Sequence, residues 1–215
     1  MKRLVQNELR TVHRAIALLR CWNESSPEEG YTLSELAKKT GLHKTIVHRL
    51  LGTLAAHDIV RRDPITNRYQ LGVTLVELGS LAAAKMSFRR LALPVMKQLA
   101  AETGEMVMLT VISGNDAVCV EKVDSPSPIK VSYEVGRRRP LYTGAAAKVL
   151  LAFTPEPERT RLIDSIVFVR YTDLTITNKT DLLQELEEIR RRGYALSYGE
   201  IDEGVTGIGA PVWGR

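Results

Sequence analysis

The stretch LSELAKKTGLHKTIVHRLLGTLAAHDIVRRDPITNRYQLG, Leu33 to Gly72, decides the reading of this chain. Just ahead of it, Thr32 is followed three residues later by Glu35, a capping box that starts a helix before Leu36 and Ala37. Gly41 stops that helix, since a residue without Cβ accepts the left-handed conformation of a helix end. A third helix is predicted from about His43 to Ala56, with Val47, Leu50, Leu51 and Leu54 on its inner face. DIVRR and RYQLG are β-type runs flanking DPITN, whose Pro and Asn suit a turn. Working outward, Arg10 to Asn23 reads as a first helix with Val12, Ile16, Leu19 and Trp22 near one face, and ESSPEEG as a loop. Three helices followed by a β-hairpin describe a winged helix-turn-helix. A three-helix core with a hairpin and no role on DNA is the plainer alternative.

In such a motif the second helix of the pair enters the major groove. With the aliphatic residues inward, the outward stripe is Lys44, Thr45, His48, Arg49 and Gly52. Lys and Arg neutralise phosphates or donate to guanine, and Thr45 and His48 are expected to approach base edges. Arg61, Arg62 and Arg68 on the hairpin are expected to reach the DNA backbone or minor groove. Three of the four histidines fall in this stretch, which raises metal binding as a rival. His43 and His48 are five apart and do not share a face as i, i+4 ligands do, so no metal site is expected. Residues 1–90 carry 15 Lys and Arg against 8 Asp and Glu, a balance of +7, whereas the remainder is at −2. That asymmetry points to a polyanion-binding module joined to something else.

Val73 to Arg90 reads as one helical run without a Pro- or Ser-rich break, a rigid connector that also suits dimerisation. A further helix is expected from about Leu91 to Thr103. The period then changes: MVMLTVIS, DAVCVEKV and IKVSYEV are β-rich, helical patterns return at Gly144–Phe153, Pro155–Ile166 and Thr180–Arg192, and YALSYGE and TGIGAPVWG read as strands. The fold class is α+β. With 44% hydrophobic and 26% charged residues the composition is that of a globular protein. No apolar run approaches the roughly 18 to 20 residues needed to span a bilayer. The first residues lack the apolar segment of a signal peptide, and two distant cysteines, Cys21 and Cys119, read as free thiols; a cytoplasmic location is expected.

Catalysis is not expected in the second part. All four histidines precede residue 58, Cys119 sits mid-strand as a buried thiol, and Glu121, Asp164 and Glu200 form no evident pair. No cofactor is expected. A binding site is more credible in GRRRPLYTGAAAKVLLA, Gly136 to Ala152. Its small residues Gly144 to Ala147 open a helix, where N–H groups seat a carboxylate; equally, they let the helix pack closely on the sheet.

The whole chain resembles the IclR family of bacterial transcription regulators. The resemblance rests on the winged-helix stretch quoted above, on GRRRPLYTGAAAKVLLA and on RRGYALSYGEIDEGVTGIGAPV. It implies a winged helix-turn-helix domain over 1–72, a connector and dimerisation helix over 73–90, and a GAF-like effector-binding domain over 91–215. It also implies an effector that is a small organic or aromatic acid, double-stranded operator DNA as partner, and a homodimer or homotetramer. By motif, Leu141, Gly144, Ala145 and Ala146 fall at the ligand loop, and Ser197 and Gly207 at pocket-lining places. Ala147 replaces a glycine usual before the motif lysine. Relatives continue past APV into another strand and helix, so a shortened effector domain is expected. The function implied is a ligand-responsive regulator, more often a repressor. A winged-helix scaffold for protein partners is the alternative from another class.

Overall fold

The structure is a computed structural model of the 215-residue chain, in which residues 9–22, 26–126 and 133–214 are described. Its internal contacts divide it between Lys85 and Met86 into two units.

The first unit holds α1 (Arg10–Leu19), α2 (Leu33–Thr40), α3 (Lys44–Ala56), β1 (Val60–Arg62), β2 (Tyr69–Leu71) and α4 (Val73–Ala84). The capping box forms as read: the Thr32 hydroxyl accepts from Glu35 N–H and Glu35 accepts from Thr32 N–H. Gly41 ends α2 with a left-handed φ of 68°. β1 and β2 pair antiparallel from Val60↔Leu71 to Arg62↔Tyr69. Tyr31 and Tyr69 exchange backbone hydrogen bonds at 3.0 and 2.7 Å, which ties the entry of α2 to the hairpin. Leu18, Leu36, Val47, Leu51 and Val60 are fully buried between these elements. Each such side chain contributes roughly 1.5–3 kcal/mol of burial free energy.

Two details differ from the sequence reading. Helix α1 ends at Leu19, short of the expected Asn23; its inner face is the buried Leu18 with the half-buried Ala15 and Leu19, Trp22 packs on the same core from beyond the helix, and Val12 and Ile16 are left exposed. The run expected to continue from Val73 to Arg90 breaks at Lys85–Met86, and Ser87–Arg90 open the next helix instead. Helix α4 has no buried residue, although Val73, Val76, Leu78 and Leu81 are among its side chains. Its start is locked to the turn that follows α3. Gly72 N–H donates to Ile59 O at 2.8 Å, Thr74 N–H to Asp58 O at 3.3 Å, and the Thr74 hydroxyl to His57 O at 3.0 Å. A Cβ on Gly72 would stand 1.9 Å from Asp58 O, so only glycine permits this seam.

The second unit holds α5 (Ser87–Thr103), β3 (Val107–Ser113), β4 (Asp116–Val123), β5 (Arg138–Pro140), α6 (Ala145–Phe153), α7 (Glu158–Asp164), α8 (Lys179–Arg192), β6 (Ala195–Tyr198) and β7 (Thr206–Gly209). β3, β4 and β5 form an antiparallel sheet in that order, and β6 pairs antiparallel with β7. Helix α6 packs against α8, β6, β7 and β3. Around it Leu141, Leu151, Leu162, Leu182, Ile189 and Ala195 form the core. Of the expected strand IKVSYEV, residues 129–132 lie outside the described residues, and Tyr133 to Val135 are in no strand. The third strand is β5, inside GRRRP. A turn at Glu134–Arg137 comes first, and pairing with β4 begins there through Gly136 N–H to Cys119 O and Cys119 N–H to Arg137 O.

Candidate nucleic-acid interface

Lys44, Thr45, His48, Arg49 and Gly52 are all exposed on α3, opposite the buried Val47, Leu50, Leu51 and Leu54. His43 is the N-cap: its Nδ1 accepts from Thr45 N–H at 3.4 Å. That role was not read from the sequence, because histidine is not among the preferred capping residues. On the hairpin, the Asp63 carboxylate accepts from Ile65 and Thr66 N–H at 2.9 and 2.7 Å. These two bonds, with Thr66 first in effect, hold its carboxyl below the usual aspartate range. Arg61 and Arg62 are exposed. The Arg62 guanidinium donates to Asn67 Oδ1 at 2.6 Å and lies over the Tyr69 ring.

Arg68 is placed differently from the expectation. Its Nη1 donates to Gly30 O at 2.7 Å and reaches Glu35 at 3.3 Å, its Nε lies 3.7 Å from Glu29, and its side chain is 25% exposed. The guanidinium is therefore spent within the unit, pinning the hairpin to the loop before α2, and is not turned outward with Arg61 and Arg62. The Glu35 carboxyl is held below the usual glutamate range, first by the Thr32 N–H it accepts and further by the Thr32 hydroxyl and Arg68.

In the second unit, Ala145, Ser197 and Gly207 come together. Ser197 and Gly207 are directly opposed across β6 and β7, and a Cβ on Gly207 would lie 3.5 Å from the Ala145 Cβ. Leu141 is a core side chain, and Ala146 is half-buried on α6. The small residues serve close packing here: a Cβ on Gly209 would stand 2.8 Å from both the carbonyl carbon and oxygen of Ala145. The helix start is also already supplied with a carboxylate, that of Glu200. Its Oε2 accepts from Gly144 N–H at 2.9 Å, and its Oε1 from Lys148 Nζ. Lys148, 2% exposed, also reaches Glu185 at 3.1 Å. Cys119 is buried, donates to Glu121 O, and burial pushes its thiol upward, as befits an inert group.

The IclR helix-turn-helix domain matches residues 11–64, and the bacterial transcriptional regulator IclR C-terminal domain matches residues 80–215. This chain belongs to the IclR family. The regulator KipR of Bacillus subtilis (strain 168) is 36% identical over 209 residues, covering 97% of this chain and 82% of that protein. The crystal structure of an IclR transcriptional regulator from Alicyclobacillus acidocaldarius superposes with a TM-score of 0.83 at 28% identity, over 97% of this chain and 84% of that one. An IclR homologue from Microbacterium hydrocarbonoxydans, complexed with 4-hydroxybenzoate, shares the fold with a TM-score of 0.79 at 23% identity, over 95% of this chain and 84% of that one. As an IclR-family protein the chain is a DNA-binding transcription regulator and not an enzyme. Among the described residues no helix is long and apolar enough to cross a membrane.

Two sets of residues beside the candidate sites escaped the sequence reading. Glu200 is far from Gly144 in sequence, but Lys148 within the apolar AAAKVLLAF was a usable sign, since a lysine on a buried face requires a carboxylate. Ser34 and Asn67, which flank the basic face, carried no such sign.

Proposed function

We propose that this regulator holds operator DNA against α3 and the hairpin and represses transcription until a small organic or aromatic acid binds its second unit. Lys44, Thr45, His48 and Arg49 supply the groove-facing stripe, and Arg61 and Arg62 flank it on the backbone. Arg68 contributes by bracing the hairpin. The single observation that carries this reading is the exposed basic stripe on a capped helix whose opposite face is fully packed. On the second unit, the effector cluster of this reading is Gly144, Ala145, Ala146, Ser197 and Gly207, with Leu141 as packed support; because Glu200 already holds the Gly144 N–H, an acid bound there has to take the place of that carboxylate. The Microbacterium homologue's 4-hydroxybenzoate supports an acid of that class. The domain plan is a winged helix over 1–72, a connector that ends at Lys85 where α4 stops, and an effector domain that begins at Met86, just ahead of α5, acting in the cytoplasm. Exposed Val76, Leu78 and Leu81 on α4 support pairing of two copies.

The test is binding to operators selected from random DNA by the full chain. Arg49→Ala is expected to weaken binding by about 10- to 100-fold, the cost of a charge-assisted contact. Benzoates and short organic acids titrated into the complex should then change its affinity. Wild-type affinity in Arg49→Ala would favour the protein-interaction scaffold, and indifference to every acid would remove the effector reading.

A further inference from the structure

Between the first turn of α2, the outer face of α3 and the hairpin lies a hollow of about 250 Å³, bordered by Thr32, Ser34, His48, Arg62, Asn67 and Tyr69. We propose that it seats one backbone phosphate of the operator, and that His48 belongs to this seat and not to a base edge. The inference rests on the DNA-binding reading above and adds a location and a ligand chemistry to it.

The lining holds no acidic side chain, and its polar groups come from three different elements. Arg62 is set in advance. Asn67 holds one end of its guanidinium, Tyr69 lies beneath it, and it has no carboxylate partner among the described residues. Arg68, on the same hairpin, is consumed by Glu29, Glu35 and Gly30 O, so the two arginines have separate tasks. Two acids adjoin lining residues in sequence: Glu35, beside Ser34, is occupied by Thr32 N–H and by Arg68, and Asp63, beside Arg62, accepts from Ile65 and Thr66 N–H. Beside the apolar Leu33, the hollow offers an arginine fork, an imidazole, the exposed Ser34 hydroxyl and the Asn67 amide, all able to donate. A base edge offers donors and acceptors in mixture, whereas a phosphate offers acceptors only and carries charge. A group held by α2, α3 and the hairpin together would fix the height and angle of α3 in the groove, which is what backbone contacts do.

The experiment replaces operator phosphates one at a time by neutral methylphosphonates and measures binding by wild type, Arg62→Ala, Ser34→Ala and His48→Ala. At one phosphate in each half-site, neutralisation should weaken wild type about tenfold and Arg62→Ala less than about twofold, because the partner is already gone. Ser34→Ala and His48→Ala should show a smaller loss than wild type at the same phosphate, with base preference unchanged. Equal losses in wild type and Arg62→Ala at every position would overturn the seat, and so would a relaxed base preference in His48→Ala. Inorganic phosphate at matched ionic strength should compete no better than chloride; selective competition would make the hollow a free-anion site and refute the assignment to DNA. Failure of wild type to select any operator would instead remove the DNA reading itself.

Discussion

Arg62 and Arg68 flank one short turn, and their surroundings give them opposite work. Arg68 is bound to a backbone carbonyl and two carboxylates, so its charge is invisible to a polyanion. Arg68→Ala is expected to lower the thermal stability of the first unit by about 1 kcal/mol, since one well-placed charged hydrogen bond is lost and the exposed Glu29 partner adds little. The slope of log affinity against log salt should stay unchanged in that variant; a slope flatter by about one would make Arg68 a phosphate contact after all. Lys148 is the corresponding case in the second unit. Removing it strands Glu200, 8% exposed, without its cation. Lys148→Ala should therefore cost about 3–5 kcal/mol, read by denaturant unfolding, and a loss under about 1 kcal/mol would mean that Glu200 leaves for solvent.

The elements differ in how plainly the sequence announces them. Helix α2 could be read almost to the residue because it carries its own cap, stop and inner face, and α3 because of its inner face alone, all local features. The exposed stripe from Lys44 to Arg49 followed directly from that face. Strand β5 was hidden, because RRP has little strand preference and pairs only after the Gly136 turn brings it to β4. The break at Lys85–Met86 involves neither glycine nor proline and left no mark in the apolar pattern. The tie from Glu200 to Gly144 and Lys148 is a contact between distant parts of the chain, beyond any window of periodicity. Helix α4 was legible as apolar, but only the structure shows that none of its residues is buried. If two copies meet there, Val76→Glu with Leu81→Glu should shift the dimer–monomer balance toward monomer by at least about tenfold in sedimentation, since two desolvated charges oppose each copy. An unchanged mass across concentrations would place the contact between copies elsewhere.

At the scale of the whole molecule, charge and task divide along the chain. Residues 1–90 hold the positive excess of +7, and the remainder is nearly balanced. The seam at Gly72, Asp58 and Thr74 gives this division a geometric meaning. Because α4 starts against His57 to Ile59, the turn that immediately follows α3, any partner that grips α4 also sets where α3 points. Two copies joined through α4 would present their two reading helices at one separation and one relative rotation. Duplex DNA repeats its groove every 10–10.5 base pairs, about 34–36 Å along the axis. Five extra base pairs, roughly half that repeat, carry the second half-site to the far side of the duplex. An operator lengthened in this way is expected to fall to the affinity of a single half-site, and one lengthened by a full turn to recover only in part; equal binding to all three would mean that the two copies swing independently. If two copies meet through α4, the spacing of the operator is a length and a phase already present in the protein, stored in three hydrogen bonds and one missing methyl group.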